Sequence, residues 1–167
     1  LTLWNVHRFH LDYAILDNFD YSKDFIPVGK RNALDRWILS RVSSVAENYH
    51  DQYVSWEFHK AARELENFVI NDLSNWYVRR SRRRLWDEAE SHDKRACQFT
   101  LHEILLTVSK LMAPIAPFMP DKIHFDLTGT SVHTADWPLG SDLVDKNLPP
   151  QDLELEKEMS IVRMLAE

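Results

Sequence analysis

A chain of 167 residues with 44% hydrophobic content, six Trp, eight Phe and five Tyr is long and apolar enough to bury one sizeable core, which excludes intrinsic disorder. Its formal net charge of −6 argues against a broadly basic nucleic-acid binder, and its one cysteine, Cys97, excludes an intramolecular disulfide and fits a reducing compartment such as the cytosol. Three glycines leave no room for a Gly-rich phosphate loop, and no apolar run approaches the ~18–20 residues needed to cross a bilayer.

The helix-favouring mixture of Leu, Ala, Glu and Arg points to an all-α protein. A helical pattern already runs at Leu1, so the chain reads as a piece of a longer polypeptide. From Leu1 to about Leu16 the stripe Val6, Phe9, Tyr13, Leu16 predicts an amphipathic helix with Asn5, Arg8 and Asp12 on another side. Residues 17–29 carry turn residues at both ends and read as a loop. Asn32 is placed to cap a second helix to about Tyr49, with Leu34, Trp37, Ile38, Arg41, Val42 and Val45 along one side.

A third, long helix is predicted from about Ser55 to Trp86. Phe58, Ala61, Ala62, Leu65, Phe68, Val69, Leu73 and Trp76 form its stripe. At 100° per residue they share an arc of roughly 140°, and the same wheel brings Arg79, Arg80 and Arg83 into that arc. The apolar face is thus expected to turn cationic where the helix runs past the bundle, since a core cannot accept unpaired arginines. Asp72, Leu73 and Ser74 mark a place where this helix could kink or restart. After a polar linker at 87–93, Asp93 is the expected cap of a helix to about Met112, with Cys97 on its core stripe. Pro114, Pro117 and Pro120 break the chain, residues 122–127 give a short helix, and Thr128 and Gly129 end it. Residues 131–138 read as an extended strap anchored by Trp137, and Asp152 to Ala166 as a last acidic helix. The organisation expected is a helical bundle over 1–140, then a linker and the start of a C-terminal helical segment over 141–167.

One stretch stands apart. Five arginines occupy the six positions 79–84 together with Ser81, with Trp76 and Tyr77 before them and Trp86 after. Residues 142–167 hold a net charge of −4, so the first 141 residues carry only −2 and are able to present a local positive patch. Two readings stand side by side. In one, the cluster is a solvated helix end favoured by the helix dipole and neutralised by Asp87, Glu88 and Glu90. In the other it meets an external anion, with arginine contacting phosphates and Trp86 stacking on a base. Asn5 and Arg8 are polar positions in an apolar first helix, either contacts of the same kind or simply its wet face. No catalytic constellation emerges: His7 and His10 lack a second ligand pair for zinc, and Cys97 is committed to a core stripe.

Three stretches, in order, resemble the anticodon-binding helical bundle of class I aminoacyl-tRNA synthetases, of the isoleucyl kind found in archaea and eukaryotes. They are Leu3-Trp-Asn-Val-His-Arg-Phe9 with Asn18-Phe-Asp20, then Phe58-His-Lys-Ala-Ala62 with Asp72-Leu-Ser-Asn-Trp-Tyr-Val-Arg-Arg-Ser-Arg-Arg-Arg-Leu-Trp86, and finally Leu111-Met-Ala-Pro-Ile-Ala-Pro-Phe118 with Ser131-Val-His-Thr-Ala-Asp-Trp-Pro138. The run Met119-Pro-Asp-Lys122 departs from the family's uninterrupted helix with paired acids, which bears on the shape of 114–127. The resemblance implies an all-α antiparallel helix bundle with a long central helix and an extended strap. It implies binding of the anticodon stem-loop of isoleucine tRNA, with the catalytic and C-terminal domains of the same polypeptide as further partners, in the cytoplasm and away from membranes. It also implies that ATP and Mg belong to a catalytic domain elsewhere. The ATP-binding signatures His-Ile-Gly-His and Lys-Met-Ser-Lys-Ser are missing from this sequence, so the piece itself is expected to hold no cofactor, metal or catalytic residue. By analogy the RNA contacts are Asn5, Arg8, Arg79, Arg80, Arg82, Arg83, Arg84 and Trp86. Valyl- or leucyl-type bundles, and a structural or protein-interaction bundle, are the alternatives.

Overall fold

A computed structural model describes residues 1–23, 25–87, 91–138 and 150–166. Among these the protein is all-α. The helices are α1 (Thr2–Leu16), α2 (Ala33–Val54), α3 (Phe58–Asn67), a π-helical stretch (Phe68–Val78), α4 (Arg79–Trp86), α5 (His92–Met112), α6 (Phe118–Thr128) and α7 (Leu153–Ala166). Short 3₁₀ turns at Val28–Lys30 and Val132–Thr134 lie in the connections. No helix among the described residues is long and apolar enough to cross a membrane. The expected boundary at 140/141, and the linker after it, fall outside the described residues.

α3, the π stretch and α4 follow one another without a break from 58 to 86, so the long central helix is present with its middle rewound. Short links make α2 and α5 its antiparallel neighbours. α1 runs beside it in the same sense, since Leu1, Thr2 and Leu3 share a hollow with Ala62 to Ile70 at one end. At the other end Lys94 bridges the Asp17 carboxylate and the Asp87 carbonyl, at 2.7 and 2.8 Å. Trp37, Ile38, Val42, Val45, Phe68, Leu73, Tyr77, Leu85, Leu101 and Leu105 fill the core between these helices. Each large side chain buried there contributes about 1.5–3 kcal/mol relative to exposure.

Several local expectations hold. The Asn32 side chain accepts from the Asp35 amide at 2.9 Å and caps α2. Gly129, at φ 76, ends α6 in the left-handed conformation that a Cβ would disfavour. Cys97 is fully buried, and burial pushes its thiol up to about 11. Trp137 anchors its strap against Tyr49 and Tyr53, ring centroids 5.8 and 6.0 Å away. That strap includes a 3₁₀ turn rather than being extended throughout.

Others are corrected. The cap of α5 is Ser91, whose hydroxyl accepts from the Lys94 amide, and Asp93 sits inside the first turn, where its carboxylate takes Asn32 and Arg84. α6 begins at Phe118 and carries Pro120 in its first turn, where a missing N–H costs little. The expected last acidic helix does form, as α7, and it packs on α2 with Leu155 and Met159 against the main core and Glu156 bonded to Ser40, Ser44 and Arg41.

The inward stripe of α1 is Leu3, Val6, His7 and His10, and Leu16 is 72% exposed. The two histidines are held by rings: Trp4 against His7, and Phe19 and His102 against His10. Burial first, and then its neighbouring histidines, lower His10 to about 3, while burial lowers His102 to about 4. The folded state therefore takes these imidazoles neutral, and the stability they contribute is full above the unfolded value of about 6.5 and lost as pH falls towards 4. Urea unfolding at pH 7 and pH 5 is expected to show roughly 2 kcal/mol less stability at pH 5 for each of the two. His10→Leu should remove about half of that difference, and an unchanged difference would contradict the assignment.

Candidate nucleic-acid interface

The π stretch decides which way the arginines face. A helix closing i→i+5 winds ~4.4 residues per turn, about 80° per residue instead of 100°, so eleven residues fall behind an α-helical wheel by roughly 200°. The predicted continuation of the apolar stripe into Arg79, Arg80 and Arg83 is overturned for that reason. Ser81 and Leu85 face the core instead, and Arg79, Arg80, Arg82 and Arg83 are exposed.

Among the described residues Arg79, Arg82 and Arg83 pair with no carboxylate. Arg80 lies over the Trp76 ring, 3.1 Å from its centroid. Partial desolvation first, then the charges of Arg79 and Arg163, lower the pKa of Arg80, so the site would be relieved by an anion. Trp86 ends the row 56% exposed, with no ring against its indole among the described residues. Trp76 is 8% exposed and belongs to the core cluster, as its place on the stripe implied. The acids expected to neutralise the block are in part Glu88 and Glu90, which lie outside the described residues.

Arg84 departs from the others. Its Nη1 and Nη2 donate to the two oxygens of Asp35 at 2.8 and 2.7 Å, and its Nε donates to Asp93 at 2.6 Å. Asp35 is fully buried and also accepts from the Tyr77 hydroxyl at 2.6 Å. Burial opposes the Arg84 charge, but the hydrogen-bonded Asp35 outweighs it and raises the pKa above its ordinary value. A guanidinium so engaged has no fork left for a phosphate, which takes Arg84 out of the interface and makes it a clamp between α4, α2 and α5. Nor does the fold gather Asn5 and Arg8 with the block. Both are exposed, but Arg8 lies about 13 Å along α1 from Asp17, which marks the level of Asp87. Among the described residues Arg8 makes only a 3.7 Å surface pair with Asp12.

The structure adds a feature that charge counting did not reveal. A groove of about 1320 Å³ runs between the π stretch and α7. Asn67, Asn71, Asn75 and Arg79 step along one wall at every fourth residue, and Lys157, Ser160 and Arg163 face them from the other. Five cations and two carboxylates, Asp72 and Glu156, line it. Asp72 is taken up by Arg41 at 3.2 Å and by Arg163, and Glu156 by Arg41 at 3.0 Å, which leaves Arg79, Arg80 and Lys157 without an acidic partner among the described residues. The fourfold spacing of the asparagines was readable in the sequence. That it faces a cationic wall was not, because α7 arrives from about 90 residues away.

No group of His, Cys, Asp and Glu among the described residues is arranged to hold a metal ion. What the surface offers is fixed positive charge, amide edges and an indole face, a combination suited to binding a polyanion with exposed bases. Comparison with known proteins points the same way. Residues 35–167 match the family described as the anticodon-binding domain of tRNA ligase. The chain is 40% identical over 173 residues to an isoleucine–tRNA ligase of Methanothrix thermoacetophila, covering 99% of this chain and 16% of that protein. It is 41% identical to isoleucine–tRNA ligases of Cytophaga hutchinsonii and Bacillus thuringiensis, in each case over 99% of this chain and 15% of the relative. The chain thus spans about 15% of the length of the curated relatives it matches. With its helical bundle and exposed arginine face, it belongs to the anticodon-binding domain family of tRNA ligases.

Proposed function

We propose that this chain is the module of an isoleucine–tRNA ligase that grips the anticodon arm of isoleucine tRNA. The reading rests above all on the exposed row Arg79, Arg82 and Arg83 beside Trp86, which pairs with no carboxylate among the described residues, in a chain of this family whose relatives carry that enzyme name. In this reading the activation of isoleucine with ATP and its transfer to tRNA are the work of other parts of the polypeptide, where ATP and Mg bind. The module's share is to orient the tRNA in the cytoplasm while that chemistry proceeds. Binding energy gained at a remote arm helps the reacting end by positioning it.

Fluorescence anisotropy with labelled isoleucine and valine tRNAs at several salt concentrations tests this. Expected is a fall in log affinity with log salt of about 0.7–0.9 per phosphate contacted, with isoleucine tRNA bound more tightly. Equal binding of both tRNAs would favour a bundle without isoleucine preference. Absence of salt-dependent binding by a folded sample would leave the protein-interaction alternative, for which Arg84 and Asp35 supply a precedent within the chain.

A further inference from the structure

The groove between the π stretch and α7 has a chemistry that the arginine row lacks. Arginines on an exposed helix face meet phosphates and carry no sequence information, whereas carboxamides present a donor and an acceptor side by side and match the edge of a base. Asn67, Asn71 and Asn75 place three such groups in line along one wall. The Asn71 amide donates to the Asn67 oxygen at 2.6 Å, an interaction that orients both side chains. Asn75 makes no side-chain hydrogen bond among the described residues, and the buried Nε1 of Trp76 beside it has no acceptor. At about 80° per residue a four-residue step drifts by only about 40°, so residues spaced by four stay on neighbouring parts of one face. The amide row thus leads into Arg79 and Arg80 at the end of the groove, while Arg82 and Arg83 face outward beyond it.

We infer that this groove is a base-reading site of the RNA interface, in which Asn67, Asn71 and Asn75 hydrogen-bond the edges of unpaired nucleotides while Arg79, Arg80 and Lys157 hold the flanking phosphates. The inference rests on the tRNA-binding reading above and deepens it. It assigns recognition to the groove and leaves electrostatic grip to the exposed row. Unpaired nucleotides are the fitting ligand because the major groove of A-form duplex RNA is too deep and narrow for side chains to read and its shallow minor groove is recognised mostly by shape, whereas unpaired bases offer their edges freely. At about 1320 Å³ the groove exceeds the ~300–1,000 Å³ of a small-molecule pocket, as an extended strand requires. α7 is held in place as the far wall by Arg163 on Asp72 and by Glu156 on Arg41, so the cations facing the amides sit on a fixed support.

The test is a cycle between protein and RNA. The 167-residue chain and its Asn71→Leu and Asn75→Leu variants are titrated against the isoleucine anticodon stem-loop and against the same hairpin with abasic residues in the loop, which keeps the phosphates and deletes the edges. Leucine retains helix propensity and similar size, and circular dichroism melts check the fold. Wild type is expected to lose about 5- to 150-fold in affinity on abasic substitution at a position that is read. The variants should lose affinity for the intact loop by a similar factor, show little further loss on the abasic loop, and keep an unchanged salt dependence. Variants that bind the intact loop like wild type, or lose equally on intact and abasic loops, overturn the base-reading inference while tRNA binding stands. A folded wild-type chain that binds neither hairpin overturns both.

Discussion

Replacing Arg84 by alanine is expected to destabilise the bundle by about 3–5 kcal/mol, because it strands a buried carboxylate. Asp35 has no exposure to water, and Arg84 supplies two of its three side-chain hydrogen bonds, the third coming from Tyr77. The same change releases Asp93, and with it the tie between α4 and the first turn of α5. Urea unfolding measures the loss, and three companions give it meaning. Arg84→Lys should recover only part, since an ammonium cannot fork onto both Asp35 oxygens while also reaching Asp93. Arg84→Ala combined with Asp35→Asn should be less harmful than the two single losses added together, because the stranded charge is gone. Per folded molecule, the tRNA affinity and salt dependence of Arg84→Ala should match wild type. A stable Arg84→Ala protein that loses one phosphate's worth of salt dependence would return Arg84 to the RNA face.

This separation of one arginine from its neighbours shows where the sequence was legible and where it was not. Periodicity and capping chemistry are local, so the helices, the Asn32 cap, the Gly129 stop and the burial of Cys97 could be read directly. The facing of Arg79 to Arg84 depends on an accumulated angle, and a wheel turned at 100° per residue carries its error forward through the π stretch (Phe68–Val78). Nothing in the residue types announces an i→i+5 winding. The partner of Arg84 lies 49 residues away on another helix, beyond any spacing rule. His7 and His10 were absent from the predicted stripe of α1 for a different reason. A histidine counts as polar in a stripe, yet among Trp4, Phe19 and His102 a neutral imidazole packs as a ring.

Removing the exposed charge should have the opposite profile to removing Arg84. A triple variant, Arg79→Ala with Arg82→Ala and Arg83→Ala, is expected to leave folding stability within about 0.5 kcal/mol per site, since these side chains are exposed and pair with no carboxylate among the described residues. Loss of like-charge crowding along α4 offsets part of the lost helix-dipole interaction. Binding should suffer heavily. With log affinity falling by about 0.7–0.9 per phosphate per decade of salt, each contact at 0.1 M salt is worth ~5- to 8-fold relative to 1 M. Three together give roughly 100- to 500-fold, and a slope reduced by about 2–3. Near 1 M salt the variant and wild type should converge on a small, salt-insensitive affinity, left to base stacking on Trp86 and to whatever the asparagine groove contributes. The size of that remainder divides electrostatic grip from recognition: if the triple variant still prefers the isoleucine stem-loop over one of altered loop sequence, specificity resides in neutral groups. Should preference vanish together with affinity, the arginine row itself carries the discrimination, and the division of labour between row and groove fails.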